Sequence, residues 1–82
     1  MLDVNEKEIF ERRVLKLKTK IEVDNIPYGI LGDPEVHIDI VKDGLLDLED
    51  KVKNGKYKVN QIFTALRVIE DYYNFVYKSQ LL

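Results

Sequence analysis

Apolar residues recur along this chain at two competing periods. Between Leu15 and Asp24, Leu15, Leu17, Ile21 and Val23 alternate with Lys16, Lys18, Lys20 and Glu22, the period of a half-buried strand. Phe10, Val14, Leu17 and Ile21 share the same stretch at the period of a helix face. A strong start signal precedes them. With Asn5 as N-cap, Glu8 falls at N3 to complete a capping box, and Val4 and Ile9 take the positions of a hydrophobic staple. Glu8 and Arg12 add an i, i+4 pair in the favourable order. The pattern therefore predicts a helix over residues 6–21. It is expected to fray toward Thr19, Ile21 and Val23, whose branched side chains lower helix propensity, and to stop before Asn25-Ile26-Pro27.

Pro27, Gly29, Gly32 and Pro34 punctuate the loop DNIPYGILGDP. It reads as a connection between antiparallel helices, with Tyr28, Ile30 and Leu31 tucked into the edge of the core. Asp33-Pro34-Glu35 then supplies a cap, a proline at N1 and an acid in the first turn. VHIDIV alternates like a strand, but Ile38, Val41, Leu45, Leu48 and Val52 form an unbroken helical stripe through it, so a second helix is expected over 34–53. Gly44 is a fault in that helix, costing roughly 1 kcal/mol. Asn54-Gly55 is a natural stop. A third helix over 60–78 carries a heptad-like seam of Val59, Ile62, Leu66, Ile69, Tyr73 and Val76. The expected fold is an all-α, compact three-helix domain spanning residues 1–82. The competing α+β reading places strands near 15–23 and 36–41, packed on a long C-terminal helix.

Composition narrows the function classes. At 82 residues and 45% hydrophobic content the chain suits one small globular core rather than disorder. It has no cysteine, which removes disulfides and thiolate zinc sites. Asp3, Glu6 and Glu8 give the N-terminus neither the basic start nor the apolar run of a signal peptide, and no segment is long enough to span a membrane. A cytoplasmic location is the expectation. His37 is the sole histidine, the glycines form neither a dinucleotide fingerprint nor a phosphate loop, and no nucleophile–base pair follows from spacing. No catalytic residue, metal ligand, cofactor or small-molecule substrate is expected, and the chain reads as non-enzymatic.

Three surfaces remain. Glu35, Asp39, Asp43, Asp47 and Asp50 share one face of the second helix. The bland reading is a solvated face; the sharper one is a rim that meets a basic partner. Arg12, Arg13, Lys16, Lys18 and Lys20 cluster on the first helix, and Lys51, Lys53, Lys56 and Lys58 surround the Asn54-Gly55 turn. This Arg12–Lys20 cluster is the basis of the alternative reading, a nucleic-acid-binding accessory protein, although a net charge of −2 and the absence of a helix-turn-helix signature favour it little. The third surface is apolar. Val68, Tyr72 and Phe75 lie off the seam of the third helix, and are either absorbed by the core or exposed as interface anchors.

LEDKVKNGKYKVNQIFTALRVIEDYYNFVYK, residues 48–78, resembles the helical hairpin of small bacteriocin-immunity proteins, in which a Lys/Gly-rich turn joins two amphipathic helices. The likeness covers under half the chain and carries no functional residue with it. It implies a small inhibitor- or modulator-type protein, a build also shared by small phage-encoded modulators. The expected role is a protein–protein interaction module, binding another protein or itself as a homodimer. Val68, Tyr72 and Phe75 are its expected anchors, and Asp39, Asp43 and Asp47 its charged rim.

Overall fold

A computed structural model describes residues 1–82. Three helices follow one another: α1 (Val4–Val23), α2 (Pro34–Asn54) and α3 (Val59–Gln80). The only β feature is an isolated bridge between Gly29 and Gly32. Both segments that alternate like strands are helical, because each also carries part of a longer 3.6-residue stripe that the tertiary core buries.

Helix α1 begins two residues before the expected start. Asp3 is the N-cap; its carboxylate accepts from the Glu6 N–H at 2.8 Å, and the Glu6 side chain accepts from the Asp3 N–H at 3.0 Å. Asp3/Glu6 thus outcompetes the equally well-spaced Asn5/Glu8, and Val4 and Ile9 form no staple but stay exposed. Nor does α1 end loosely at Ile21. It runs to Val23, where the Asp24 N–H still bonds Lys20 O at 2.8 Å. The buried Tyr73 hydroxyl secures this end, lying 2.8 Å from Asp24 Oδ2 and 3.2 Å from Lys20 O. Burial, and then the bond to Asp24, push the Tyr73 phenol well above its ordinary pKa.

Helix α2 starts as its sequence dictates, with Asp33 Oδ1 accepting from the Glu35 N–H at 3.0 Å and Pro34 inside the first turn. It ends at Gly55, whose φ of 66° is the left-handed conformation that a C-terminal cap requires. Helix α3 opens with the Gln61 side chain accepting from the Lys58 N–H at 3.0 Å.

The core is built from the three expected stripes. Phe10, Val14 and Leu17 of α1 meet Val41, Leu45 and Leu48 of α2 and Ile62, Leu66 and Tyr73 of α3, and Ile26 closes the loop end. Helices α2 and α3 form the most closely packed pair. Gly44 faces α3 there: a Cβ at this position would stand 3.2 Å from Ile69 Cδ1, a tight contact that this side-chain end must yield slightly to admit. Helix α1 is fastened to α3 by Phe10 edge-on to Phe63 and by a two-pronged Arg13–Glu70 ion pair, with Arg13 Nε 3.1 Å from Glu70 Oε2. The hydrogen bond to Glu70 raises the Arg13 pKa despite an opposing contribution from burial. The bundle is elongated, 40 × 18 × 16 Å, and no helix is long and apolar enough to cross a membrane.

Candidate protein-interaction surface

Helix α3 carries apolar side chains around most of its circumference, and the other two helices cover only part of it. Its seam is buried or half-buried throughout, and Phe63, Ala65 and Tyr77 are half-buried against α1 and α2. Val68 and Phe75 are its only exposed apolar residues, with 63% and 59% of their surface open. They lie seven residues apart, about 20° of rotation, and so share one line along the helix. Tyr72, between them in sequence, is half-buried and packs on the core.

The neighbouring helix extends this line into a strip. His37 touches Tyr72 and Gly44 approaches Ile69, which fixes the antiparallel register of α2 and α3. That register sets Ile40 level with Tyr72, and Val36 level with Phe75. Val36 and Ile40 are exposed at 56% and 52%. They lie on the side of α2 that borders α3. Periodicity alone does not flag these two positions, since only the α2–α3 register joins them to the α3 line.

The acids of α2 border the strip unequally. Asp43 lies seven residues after Val36, and Asp47 seven after Ile40, so each is nearly in line with an apolar neighbour. Asp39 lies further round, away from α3. All three are exposed. Asp47 pairs with Lys51 at 3.1 Å, and that hydrogen bond raises the Lys51 pKa. Glu35, Asp39, Asp43 and Asp50 make no ion pair, whereas on the α3 side Arg67 and Asp71 neutralise each other at 3.8 Å.

A half-buried polar network holds the end of the strip. His37 Nε2 lies 3.0 Å from the carbonyl of Leu31, which can only accept, so the ring carries a proton there, and Nδ1 is hydrogen-bonded to the Tyr72 hydroxyl. The Leu31 N–H donates to Gln80 Oε1 at 2.9 Å, and Gln80 Nε2 donates to Gly32 O at 2.7 Å and Pro27 O at 3.1 Å. Gln80 is thus the buried plug of the loop, and Gly29 lies against it so closely that a Cβ would meet its backbone at 2.9 Å. This corrects the expectation for the loop. Tyr28 and Ile30 do not tuck into the core; both are 74% exposed, because Gln80 fills the space beneath them and Ile26 supplies the loop's buried side chain. Leu31 alone of the three is partly covered. The third helix extends past the expected stop at Lys78, which brings Gln80 into this role. Tyr28 and Ile30 stand at the same end of the bundle as Val36 and Phe75.

The basic cluster is partly spent inside the molecule. Arg13 is held by Glu70. Lys18 Nζ lies 3.0 Å from Glu49 Oε1, an ion pair without an aligned hydrogen bond. Lys16 and Lys20 line a polar groove between α1 and α3 whose walls also include Glu70 and Asp71. No group of three or more His, Cys, Asp or Glu side chains converges as a metal site.

No family model, curated protein or solved structure matches this chain.

Proposed function

We propose that this protein is a small non-enzymatic interaction module that binds another protein through the α2–α3 strip, acting by occlusion or scaffolding. Val68 and Phe75 are the anchors, Tyr72 supports them from below, and Asp39, Asp43 and Asp47 form the charged rim that steers the partner. One observation carries this reading: on a helix whose other apolar side chains are all at least half-buried, these two remain open, beside the equally exposed Val36 and Ile40 of the neighbouring helix. An exposed, contiguous apolar surface is costly to keep in water and is a mark of interaction sites.

The test immobilises the full chain beside its Val68→Ser/Phe75→Ser and Leu15→Ser variants, Leu15 being an exposed leucine on α1. A partner should be retained by the native chain and by Leu15→Ser, and lost by the strip variant with its helical circular dichroism intact. Equal retention by all three sinks the reading.

The alternative, nucleic-acid binding through the Arg12–Lys20 cluster, rests on Arg12, Lys16 and Lys20, which make no ion pair. Three phosphate contacts require log K to fall against log salt with a slope of about −3 on duplex probes. A flat salt series on duplex and single-stranded probes removes this reading.

A further inference from the structure

The strip has a direction and a sign of charge, and together they select among occupants. Val68 to Phe75 spans roughly 10 Å along α3, and the acidic row from Glu35 to Asp50 spans roughly 22 Å along α2, parallel to it. A shallow apolar line with a charged border running alongside has the shape that accepts a helix laid lengthwise. The border is not neutral. Four of the five acids in the row make no ion pair within the chain, and the α3 side sets only one unpaired cation against them, Lys78, because Arg67 is held by Asp71. Their spacing along one face sets like charges against each other, a repulsion that an opposing cation relieves.

We infer that the occupant is a basic amphipathic helix of about four turns, its apolar face on Val36, Ile40, Val68 and Phe75 and its Lys or Arg residues against Asp39, Asp43 and Asp47. This rests on the reading of the strip as a docking surface and adds the chemistry of the partner. A second copy of the chain fits less well. A two-fold interface whose axis crosses the strip brings two acidic borders together, where like charges oppose association, and one whose axis runs along it offers each border only the Arg67–Asp71 pair and Lys78 of α3.

The experiment titrates the isotopically labelled full chain with two synthetic helical peptides, each with leucines on one face. One has flanking lysines, and its twin has glutamates in their place. The lysine peptide should shift the backbone amides of Val36, Ile40, Val68 and Phe75 and bind at least about tenfold tighter than the twin. That preference should collapse near 0.5 M salt, and in Asp39→Asn/Asp43→Asn/Asp47→Asn, whose changes lie on an exposed face. Phe75→Ala should weaken both peptides alike. Equal binding of the twins, or binding away from the strip, overturns the basic occupant. A concentration-dependent dimer by light scattering, with the same four amides shifting on dilution, also overturns it but leaves the docking surface standing with a second copy as its occupant. A monomer on which neither peptide moves the strip overturns the inference and the docking reading together.

Discussion

Helix α3 has two apolar faces of similar composition, and they have opposite fates. The seam of Ile62, Leu66, Tyr73 and Val76 is buried to 3% exposure or less, whereas Val68 and Phe75 stay more than half open. Nothing in the side chains themselves distinguishes them, since valine and aromatics occur on both faces. The difference lies in what stands opposite. Helices α1 and α2 leave one sector of α3 uncovered. Adjacent tyrosines show the division most sharply. Tyr73 is sealed in the core with its hydroxyl on Asp24, while Tyr72, one residue earlier, straddles the boundary with its hydroxyl on His37. Hydrophobicity says that a surface will be covered; only geometry says whether the chain itself supplies the cover.

The sharpest way to break this contrast is truncation on each face. Leu66, fully buried, should lose about 2–5 kcal/mol of stability on Leu66→Ala, from the lost transfer energy and the cavity left behind. Phe75→Ala should stay within about 0.5 kcal/mol of the native chain. Urea denaturation followed by circular dichroism compares the two, and a Phe75→Ala loss approaching that of Leu66→Ala would move Phe75 into the core.

A smaller effect is expected at the loop plug, which supports the open face without belonging to it. Gln80→Ala leaves the Leu31 N–H and the Gly32 and Pro27 carbonyls without their buried partner and should cost about 1–3 kcal/mol. Gly29→Ala should act in the same direction through collision with the Gln80 backbone. Hydrogen exchange should show the Leu31 amide losing protection in both variants, while amides in the middle of α3 change only with global stability.

The tyrosine pair gives a pH signature. Because Tyr73 has a raised pKa, the folded chain keeps a proton that an unfolded tyrosine loses near pH 10. This contribution is fully present below about pH 10 and is lost as pH rises from there toward the folded value, since the unfolded state then binds fewer protons. Tyr73→Phe should cost about 1 kcal/mol at neutral pH and flatten that alkaline decline. Tyr72→Phe should leave the decline in place. Thermal melts between neutral pH and pH 11 separate the two.

The smallest effect is at Gly44→Ala. Helix propensity favours alanine by about 1 kcal/mol, and the side-chain end of half-buried Ile69 is the only group it must displace. A net gain of up to about 0.5 kcal/mol in the urea midpoint is expected; a clear loss would show that the α2–α3 approach, and with it the strip's register, is held more tightly than Ile69 suggests.

Much of this was legible from the chain alone. The stripes Phe10-Val14-Leu17, Val41-Leu45-Leu48 and Ile62-Leu66-Tyr73-Val76 settle three helices, because a 3.6-residue period sustained over several turns outlasts a local alternation. Asp33-Pro34 and Asn54-Gly55 mark their ends, since caps and a left-handed glycine act through neighbouring backbone alone. The choice of Asp3 over Asn5 was not legible, because two capping boxes of equal spacing compete within one turn. Nor was the role of Gln80, whose three partners lie 48 to 53 residues away in sequence. The same limit applies to the strip. Val68 and Phe75 were visible as a second apolar line, but their exposure, their union with Val36 and Ile40, and the turning outward of Tyr28 and Ile30 depend on how α2, α3 and the loop pack. Which residues make helices, and which apolar lines run along each of them, follow from the order of residues, because those are properties of neighbours along the chain. Which apolar face is left over was decided only when three cylinders met, because burial is a property of neighbours in space.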